Sequence, residues 1–411
     1  MAMRGHPLGG SSTQQLETPH GRFVFKRSAQ LGEGCAAKVY EGRDLESGQF
    51  VAVKVYKDIG RTSLHCFHNA IQVGKLLNGK SGKRLQDRTD RGLFVEVVAH
   101  SANHGVPGPD LGFLFHILEL GGPSLEDVLA TRYRDASALS MAELRDLHWS
   151  LFSMAYKLES LNLVHLDIKP SNIVSFPQSG NPQWKLVDLD CVVPAGAARC
   201  VVTKFGDITF TPAYIAPELA RAYLRAGPGQ AKHCPVILTP AMDIWSAGIC
   251  ALEAVVLASL LTDQYIKLQK ETGSDHEFLK WLGDVDEQLF SSGVIESLRT
   301  VDADMARLLV GTLTKDNTRR LNAKDCLMHQ WLRPISEAMR QKASSSRSLM
   351  APTRSQLHML ERKSDTTSCK QSTATDEPVV KPIKLNKPLK QSTNEQSPDV
   401  AKWTSSTCET M

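Results

Sequence analysis

The chain has 411 residues, of which 42% are apolar and 22% charged. Such a composition supports two or three structural units around a buried core, and excludes a wholly disordered, collagen-like or repeat-built protein. The net charge of +4, from 48 basic and 44 acidic residues, is too balanced to mark a nucleic-acid binder. Nine cysteines without C-x-x-C spacing argue against a disulfide framework or a zinc ribbon, and for a reducing compartment. His65, Cys66 and His68 lie close in sequence but lack a second ligand pair at zinc-like spacing, so they read as ordinary surface or core side chains. No apolar signal segment opens the chain. The expected location is the cytoplasm, with the nucleus as an additional one.

Residues 1–21 are rich in Gly, Ser, Thr and Gln and read as a disordered N-terminus. Short β-prone runs follow at Phe23–Phe25, Lys38–Glu41, Phe50–Tyr56, Leu93–Ala99 and Phe113–Leu120, punctuated by Gly, Asp and Pro. One helical stretch, Leu64–Leu77, interrupts them. After Gly122 the period becomes helical: Leu144, Leu147, Leu151, Met154 and Leu158 mark one amphipathic helix, and 243–261, 302–313 and 323–331 continue the pattern. The most apolar run, Gly248 to Leu261, contains Glu253 and falls short of the ~20 residues of a membrane span, so it reads as a buried helix.

The expected architecture is therefore α+β and bilobal. A small antiparallel sheet lobe with one helix covers about 22–120, a larger helical lobe covers about 121–334, and a ligand is expected between them. From 335 to 411 Ser and Thr become dense and short basic runs appear, with KQST at Lys370–Thr373 and again at Lys390–Thr393. This is read as a disordered tail. Its functional reading is a set of docking or phosphorylation sites, Ser397 before Pro398 among them. Two inserts, the basic Lys75–Arg91 and Arg225–Pro240, read as solvated loops, with a docking surface for an acidic partner as the alternative.

Several motifs carry chemistry. In Leu31-Gly32-Glu33-Gly34-Cys35-Ala36-Ala37-Lys38-Val39 the glycines let backbone N–H groups approach phosphate oxygens. Lys54 ends an apolar Val51-Ala52-Val53 run, where a buried ammonium needs an anionic partner such as a phosphate. His165-Leu166-Asp167-Ile168-Lys169-Pro170-Ser171-Asn172 packs an acid, a cation and an amide into six residues. Asp167 can accept the proton of an attacking hydroxyl, Lys169 can neutralise a transferred phosphoryl group, and Asn172 can offer an amide oxygen to a hard divalent cation. Asp188 ends the next β-prone run, in a position suited to Mg²⁺. Thr211-Pro212-Ala213-Tyr214-Ile215-Ala216-Pro217-Glu218 and Asp243-Ile244-Trp245-Ser246-Ala247-Gly248 follow.

With these motifs in this order, the chain resembles the eukaryotic protein kinase family from about Phe23 to Pro334. The resemblance implies ATP and Mg²⁺ as cofactors and a protein as substrate; the charge balance and the short apolar run predict neither a nucleic-acid partner nor a membrane span. It implies that Gly32, Gly34 and Ala37 cover the ATP phosphates and that Lys54 reaches the α- and β-phosphates. Leu31, Val39 and Ala52 would complete the nucleotide site, with Leu118 at its back and Glu119 to Gly121 as the hinge. Asp167 would be the catalytic base, Lys169 a phosphoryl stabiliser, and Asn172 and Asp188 the metal ligands. Glu218 would pair with Arg320, and Asp243 would brace the catalytic loop. Lys169 and Thr211 point to serine/threonine specificity. The expected activity is transfer of the ATP γ-phosphate to Ser or Thr hydroxyls of proteins, with a nucleotide-binding pseudokinase scaffold as the alternative.

The sequence departs from the family pattern in places. Ala70 occupies the position of the helix glutamate that should pair with Lys54, and no acid occurs between Ile59 and Gln86. Glu96 is a candidate substitute. Leu166 replaces the usual Arg, which predicts that phosphorylation of the activation loop is not the main switch. Leu189 and Asp190 replace the usual Phe and Gly.

Overall fold

The computed structural model describes residues 13–338, apart from Cys35 and residues 79–91, 104–105, 108–112, 178–181, 197, 201–210, 227–234, 285–288, 291 and 336. The tail from 339 onward, the basic part of the first insert, and Thr203 and Thr209 therefore lie outside the described residues.

The small lobe is built on β1 (Thr13–Thr18), β2 (Gly21–Glu33), β3 (Ala37–Asp44), β4 (Phe50–Tyr56), helix α1 (Arg61–Asn78), β5 (Val97–His100), the two-residue pair β6 (Ala102–Asn103) and β7 (Val106–Pro107), and β8 (Phe115–Glu119). Six strands form one antiparallel sheet in the order β1-β2-β3-β4-β8-β5. Side chains alternate across it. Val51, Val53, Phe115 and Ile117 join Leu16, Phe23, Phe25 and Tyr40 in a core on one face. Residues of the opposite parity, Ala52, Lys54, Tyr56, His116 and Leu118, share the other face, where Tyr56 packs with Phe67 and Ile71 of α1.

The N-terminal expectation needs correcting. Residues 13–18 are an edge strand in full register with β2, from Thr13↔Lys26 to Thr18↔Gly21. Gln-Gln-Leu-Glu-Thr carries a single inward apolar residue, Leu16, which is 1% exposed. One anchor among polar residues reads as a tail in composition, yet it suffices when a long partner strand is present. Residues 93–99 also divide. Residues 93–95 pair across to Leu186 of the other lobe, through Val95 N–H to Leu186 O (3.0 Å) and Leu186 N–H to Leu93 O (2.9 Å). Only the following segment joins the sheet as β5.

The large lobe continues with α2 (Leu125–Arg134), α3 (Met141–Ser160), β9 (Leu163–Val164), β10 (Ile173–Phe176), β11 (Gln183–Leu186), β12 (Val193–Pro194), β13 (Ala198–Cys200), α4 (Pro217–Ala226), β14 (Pro235–Ile237), α5 (Ala241–Val256), α6 (Leu260–Thr272), α7 (His276–Gly283), α8 (Ser292–Val301), α9 (Ala303–Thr312) and α10 (Ala323–Met328). Ser140 and Glu143 cap α3 reciprocally, and Ser124 and Asp127 do the same for α2. Helix α5 is buried on all sides from Met242 to Val256 and forms the axis of this lobe.

The apolar run expected as one helix over 243–261 is broken. Leu257 takes a left-handed conformation (φ 52°) and donates its N–H to Glu253 O, and α6 departs at 102° to α5. No Gly or Pro signals this break in the sequence. Among the described residues no single helix is long and apolar enough to cross a membrane.

Candidate active-site cleft

The catalytic loop is held from below by α5. Asp243, 1% exposed near the start of that helix, accepts the backbone N–H groups of His165 (2.7 Å) and Leu166 (2.9 Å) with its two carboxylate oxygens. The clamp fixes a left-handed turn at Leu166 (φ 68°), whose side chain is buried in the core. Burial pushes the Asp243 carboxyl up to about 7, against the pull of the two N–H donors. His165 is fully buried, its Nδ1 accepts the Asp167 N–H (3.3 Å), and burial holds its pKa below the usual imidazole range.

This foundation presents a closed ring of polar groups. Asp167 Oδ1 accepts from Thr211 Oγ1 (2.8 Å), and its Oδ2 lies 3.0 Å from Lys169 Nζ. Lys169 Nζ also donates to Thr211 Oγ1 (2.8 Å). Asn172 Nδ2 donates to Asp167 O (2.9 Å) and to Asp167 Oδ2 (3.2 Å). Burial opposes the charge on Lys169, but Asp167 outweighs it and the ammonium pKa is raised. The Asn172 backbone carbonyl oxygen accepts the Val187 N–H (2.9 Å), which sets Asn172 one residue away from Asp188.

Asp188 itself sits in a left-handed turn (φ 62°) with 39% of its side chain exposed. Lys54 reaches it from the small lobe at 2.5 Å and reaches Asp190 at 2.8 Å. Burial disfavours the Lys54 ammonium, yet the two carboxylates raise its pKa well above the ordinary value. The expected substitute Glu96 is thereby corrected: the partners that the structure gives Lys54 are Asp188 and Asp190. The reason is geometric. Asp190 follows Asp188 into a short helical turn, Leu189–Cys191, that packs against α1, whereas Glu96 precedes β5 and its backbone N–H is held by Glu119 Oε1 (2.9 Å). Leu189 is 2% exposed and faces Gly74 of α1, filling the apolar position expected of it.

The nucleotide side of the cleft brings together most of the residues named from sequence. Ala52 lies opposite Leu118 in the β4–β8 register, and Val39 lies opposite Lys54 in the β3–β4 register. Leu31 is exposed at the rim, and a side chain added at Gly32 would meet only open space. Gly34 N–H closes a turn onto Ala37 O (2.8 Å). Ala37 is a partial correction, because its side chain is 3% exposed in the cluster with Tyr56 and Phe67, so only its backbone can serve a phosphate.

In the hinge segment, the Glu119 carboxylate is committed to Lys185 (2.7 and 2.8 Å), tying the strand end to β11. A Cβ at Gly121 would come within 2.4 Å of Val174 Cγ1 and 3.0 Å of Phe176, so glycine is needed for the chain to lie this close to β10. Val174 is a floor residue that sequence reasoning missed. Nothing local in the sequence marks it, because its contact with Gly121 joins segments far apart in the chain.

The donors suit a particular kind of cation. Asp188 supplies an accessible carboxylate, and Asn172 retains its side-chain amide oxygen because its Nδ2 faces Asp167. Among the described residues no group of three or more His, Cys, Asp or Glu could form an all-protein metal cage. One or two protein oxygens fit Mg²⁺, which keeps waters and takes few protein ligands, better than Zn²⁺ or Ca²⁺.

Farther out, Glu218 and Arg320 pair as expected, through 2.8 and 2.9 Å bonds that fix the start of α4.

A small antiparallel sheet lobe over a helical lobe, with a lysine from the sheet meeting an acidic loop at their junction, is the architecture of a protein kinase domain. The sequence profile of the protein kinase domain matches residues 108–332, more than half of the chain, and the chain belongs to the protein kinase family. It is 26% identical over 305 residues to serine/threonine-protein kinase 36 of Mus musculus, covering 74% of this chain and 19% of that protein. It is 26% identical over 320 residues to probable cyclin-dependent kinase 10 of Dictyostelium discoideum, covering 74% of this chain and 78% of that protein. Myosin light chain kinase 3 of Danio rerio matches at 23% identity over 311 residues, covering 75% of this chain and 36% of its own length. The chain thus spans about a fifth of the length of the kinase 36 relatives.

Proposed function

We propose that this chain is an active protein kinase that transfers the γ-phosphate of ATP to serine or threonine hydroxyls of proteins. The observation that carries the reading is the ring around Asp167, in which Lys169, Asn172 and Thr211 fix one carboxylate, while the Asn172 backbone is tied to Val187, the neighbour of Asp188. Positioning and electrostatic stabilisation are most of what phosphoryl transfer requires of a protein. Asp167 orients the acceptor hydroxyl and takes its proton as the oxygen–phosphorus bond forms and ADP departs. Lys169 neutralises charge on the phosphoryl oxygens. Lys54 would hold the α- and β-phosphates, and Asn172 and Asp188 would hold Mg²⁺. When bound, the cation offsets the negative charge that builds on the phosphates. The serine/threonine assignment rests on Lys169 beside Thr211 and on the names of the relatives. The free thiols of Cys66, Cys191, Cys250 and Cys326 favour a reducing compartment, the cytoplasm or the nucleus. The kinase domain is assigned to 13–334 and the remaining tail to docking.

The alternative, a nucleotide-binding scaffold without turnover, is favoured by Ala70 in the helix. It is disfavoured by the full set of Asp167, Lys169, Asn172 and Asp188. Incubation of the full chain with labelled ATP, Mg²⁺ and a generic protein substrate, beside Asp167→Asn, separates the two. The expected result is a loss of roughly 10²–10⁴-fold in the variant. Equal incorporation by both proteins would remove the enzymatic reading. Nucleotide-dependent thermal stabilisation without turnover would establish the scaffold.

A further inference from the structure

Helix α1 carries no acid, and Ala70 is packed into the core at 4% exposure. Lys54 nevertheless has a side chain only 10% exposed and meets two carboxylates. These two are not equivalent. Asp188 opens toward the cleft, where a cation can claim it. Asp190 is turned inward, with 6% of its side chain exposed, and Tyr56 Oη donates to its Oδ2 (3.1 Å). Tyr56 lies two residues beyond Lys54 on the same face of β4, so lysine and tyrosine approach one carboxylate from one strand. The helix contributes an amide in place of an acid. Asn69, adjacent to Ala70, donates from Nδ2 to the backbone carbonyls of Asp190 (2.9 Å) and Val192 (2.8 Å).

We propose that Asp190 is the positioning residue that anchors Lys54 in this chain. With Tyr56 and Asn69 it replaces the ion pair that a helix carboxylate would otherwise supply. The inference rests on the reading of the cleft as a phosphoryl-transfer site. Its physical content is that Asp188 alone cannot both hold Lys54 and serve a cation, whereas the inward carboxylate keeps the ammonium aimed while Asp188 is engaged. It also makes α1 and the loop after Asp188 a single body, because the same residue that anchors the lysine carries the carbonyl to which the helix is tied.

The test compares the full-length chain with Asp190→Asn, Asp190→Gly and the double variant Asp190→Gly with Ala70→Glu. The readouts are ATP affinity, adenosine affinity by competition, and kcat and KM for ATP. Adenosine lacks the phosphates that Lys54 would hold, so it reports whether the cleft is still folded. Both single variants are expected to weaken ATP binding by about tenfold or more, with adenosine within about twofold. In the double variant, the carboxylate that Ala70→Glu adds to the helix is expected to recover a substantial part of the loss. ATP affinity unchanged in both single variants would overturn the proposal, and so would equal weakening of ATP and adenosine. If the Asp190 variants do not fold, Tyr56→Phe removes only the hydroxyl on Asp190. It should weaken ATP about threefold and leave adenosine unchanged, and an unchanged ATP affinity there overturns the proposal as well. ATP binding that depends on Asp190 in a wild-type chain without turnover would remove the enzymatic reading and keep the anchor. Turnover indifferent to Asp190 would do the reverse.

Discussion

Two ion-paired sites, one inside the large lobe and one at the cleft between the lobes, are built on opposite principles. In the large lobe Arg320 is buried, meets Glu218 with two parallel bonds, donates also to the carbonyls of Ala241 (2.7 Å) and Thr314 (3.0 Å), and lies over the Trp245 ring at 5.2 Å. Cation and anion are matched one to one, and the guanidinium is satisfied on several sides. At the cleft a single ammonium, Lys54, faces two carboxylates. Burial pushes Asp190 up to about 6, with Lys54 pulling down and Asp188 pushing further up, while Lys54 outweighs burial at Asp188 and holds it below the usual range. The first arrangement is a finished structural lock. The second retains surplus negative charge beside an open cleft, which suits the cation proposed to bind there.

The sharpest way to break this comparison is Arg320→Ala. Leaving Glu218 buried without its partner should cost about 3–5 kcal/mol, read as a large drop in Tm or in denaturant midpoint. A variant as stable as the parent would show that the large-lobe pair is no lock.

A smaller effect is expected from Glu253, a buried acid of the same lobe that is held by a hydroxyl. Tyr214 Oη donates to its Oε2 (3.0 Å), and burial raises its pKa from the ordinary 4.5 to about 8. The folded state therefore keeps a proton that the unfolded state releases, so this group makes stability fall as pH rises from about 4.5 to about 8. Glu253→Gln should flatten that part of the Tm–pH profile. A profile of unchanged slope would refute the assignment.

The smallest effect is expected from Thr203→Ala combined with Thr209→Ala. Leu166 is buried among apolar groups where a phosphate-binding cation would otherwise stand, so kinase activity should change by less than about twofold. A loss of tenfold or more would place the control point in that loop instead of at the small-lobe anchor.

Much of this was legible in the chain because the large lobe obeys local rules. The 3.6-residue spacing of Leu144, Leu147, Leu151 and Leu158 predicts α3, which the structure shows over Met141–Ser160. Glu218, Arg320 and Asp243 could be assigned from motif position, and their bonds follow. What escaped was set by contacts distant in sequence. Tyr56 and Asp190 meet across a separation of 134 residues, and nothing local shows that the Asp190 carboxylate turns inward. Leu257 ends α5 in a left-handed conformation without a glycine, because the packing around it overrides its own preference. The orientation of Ala37 depended on knowing that Tyr56 and Phe67 form a cluster behind it.

The strand at Thr13–Thr18 has a practical corollary for anyone trimming the protein. It hides the outer hydrogen-bonding edge of β2 from Gly21 to Lys26 and plugs the small-lobe core with Leu16. A version shortened to begin at Gly21 would bare the edge of β2 from Gly21 to Lys26, next to Phe23 and Phe25, the kind of edge to which other chains adhere. Clumping after such trimming would follow from this lost cover, since none of the cleft residues lies in the removed segment.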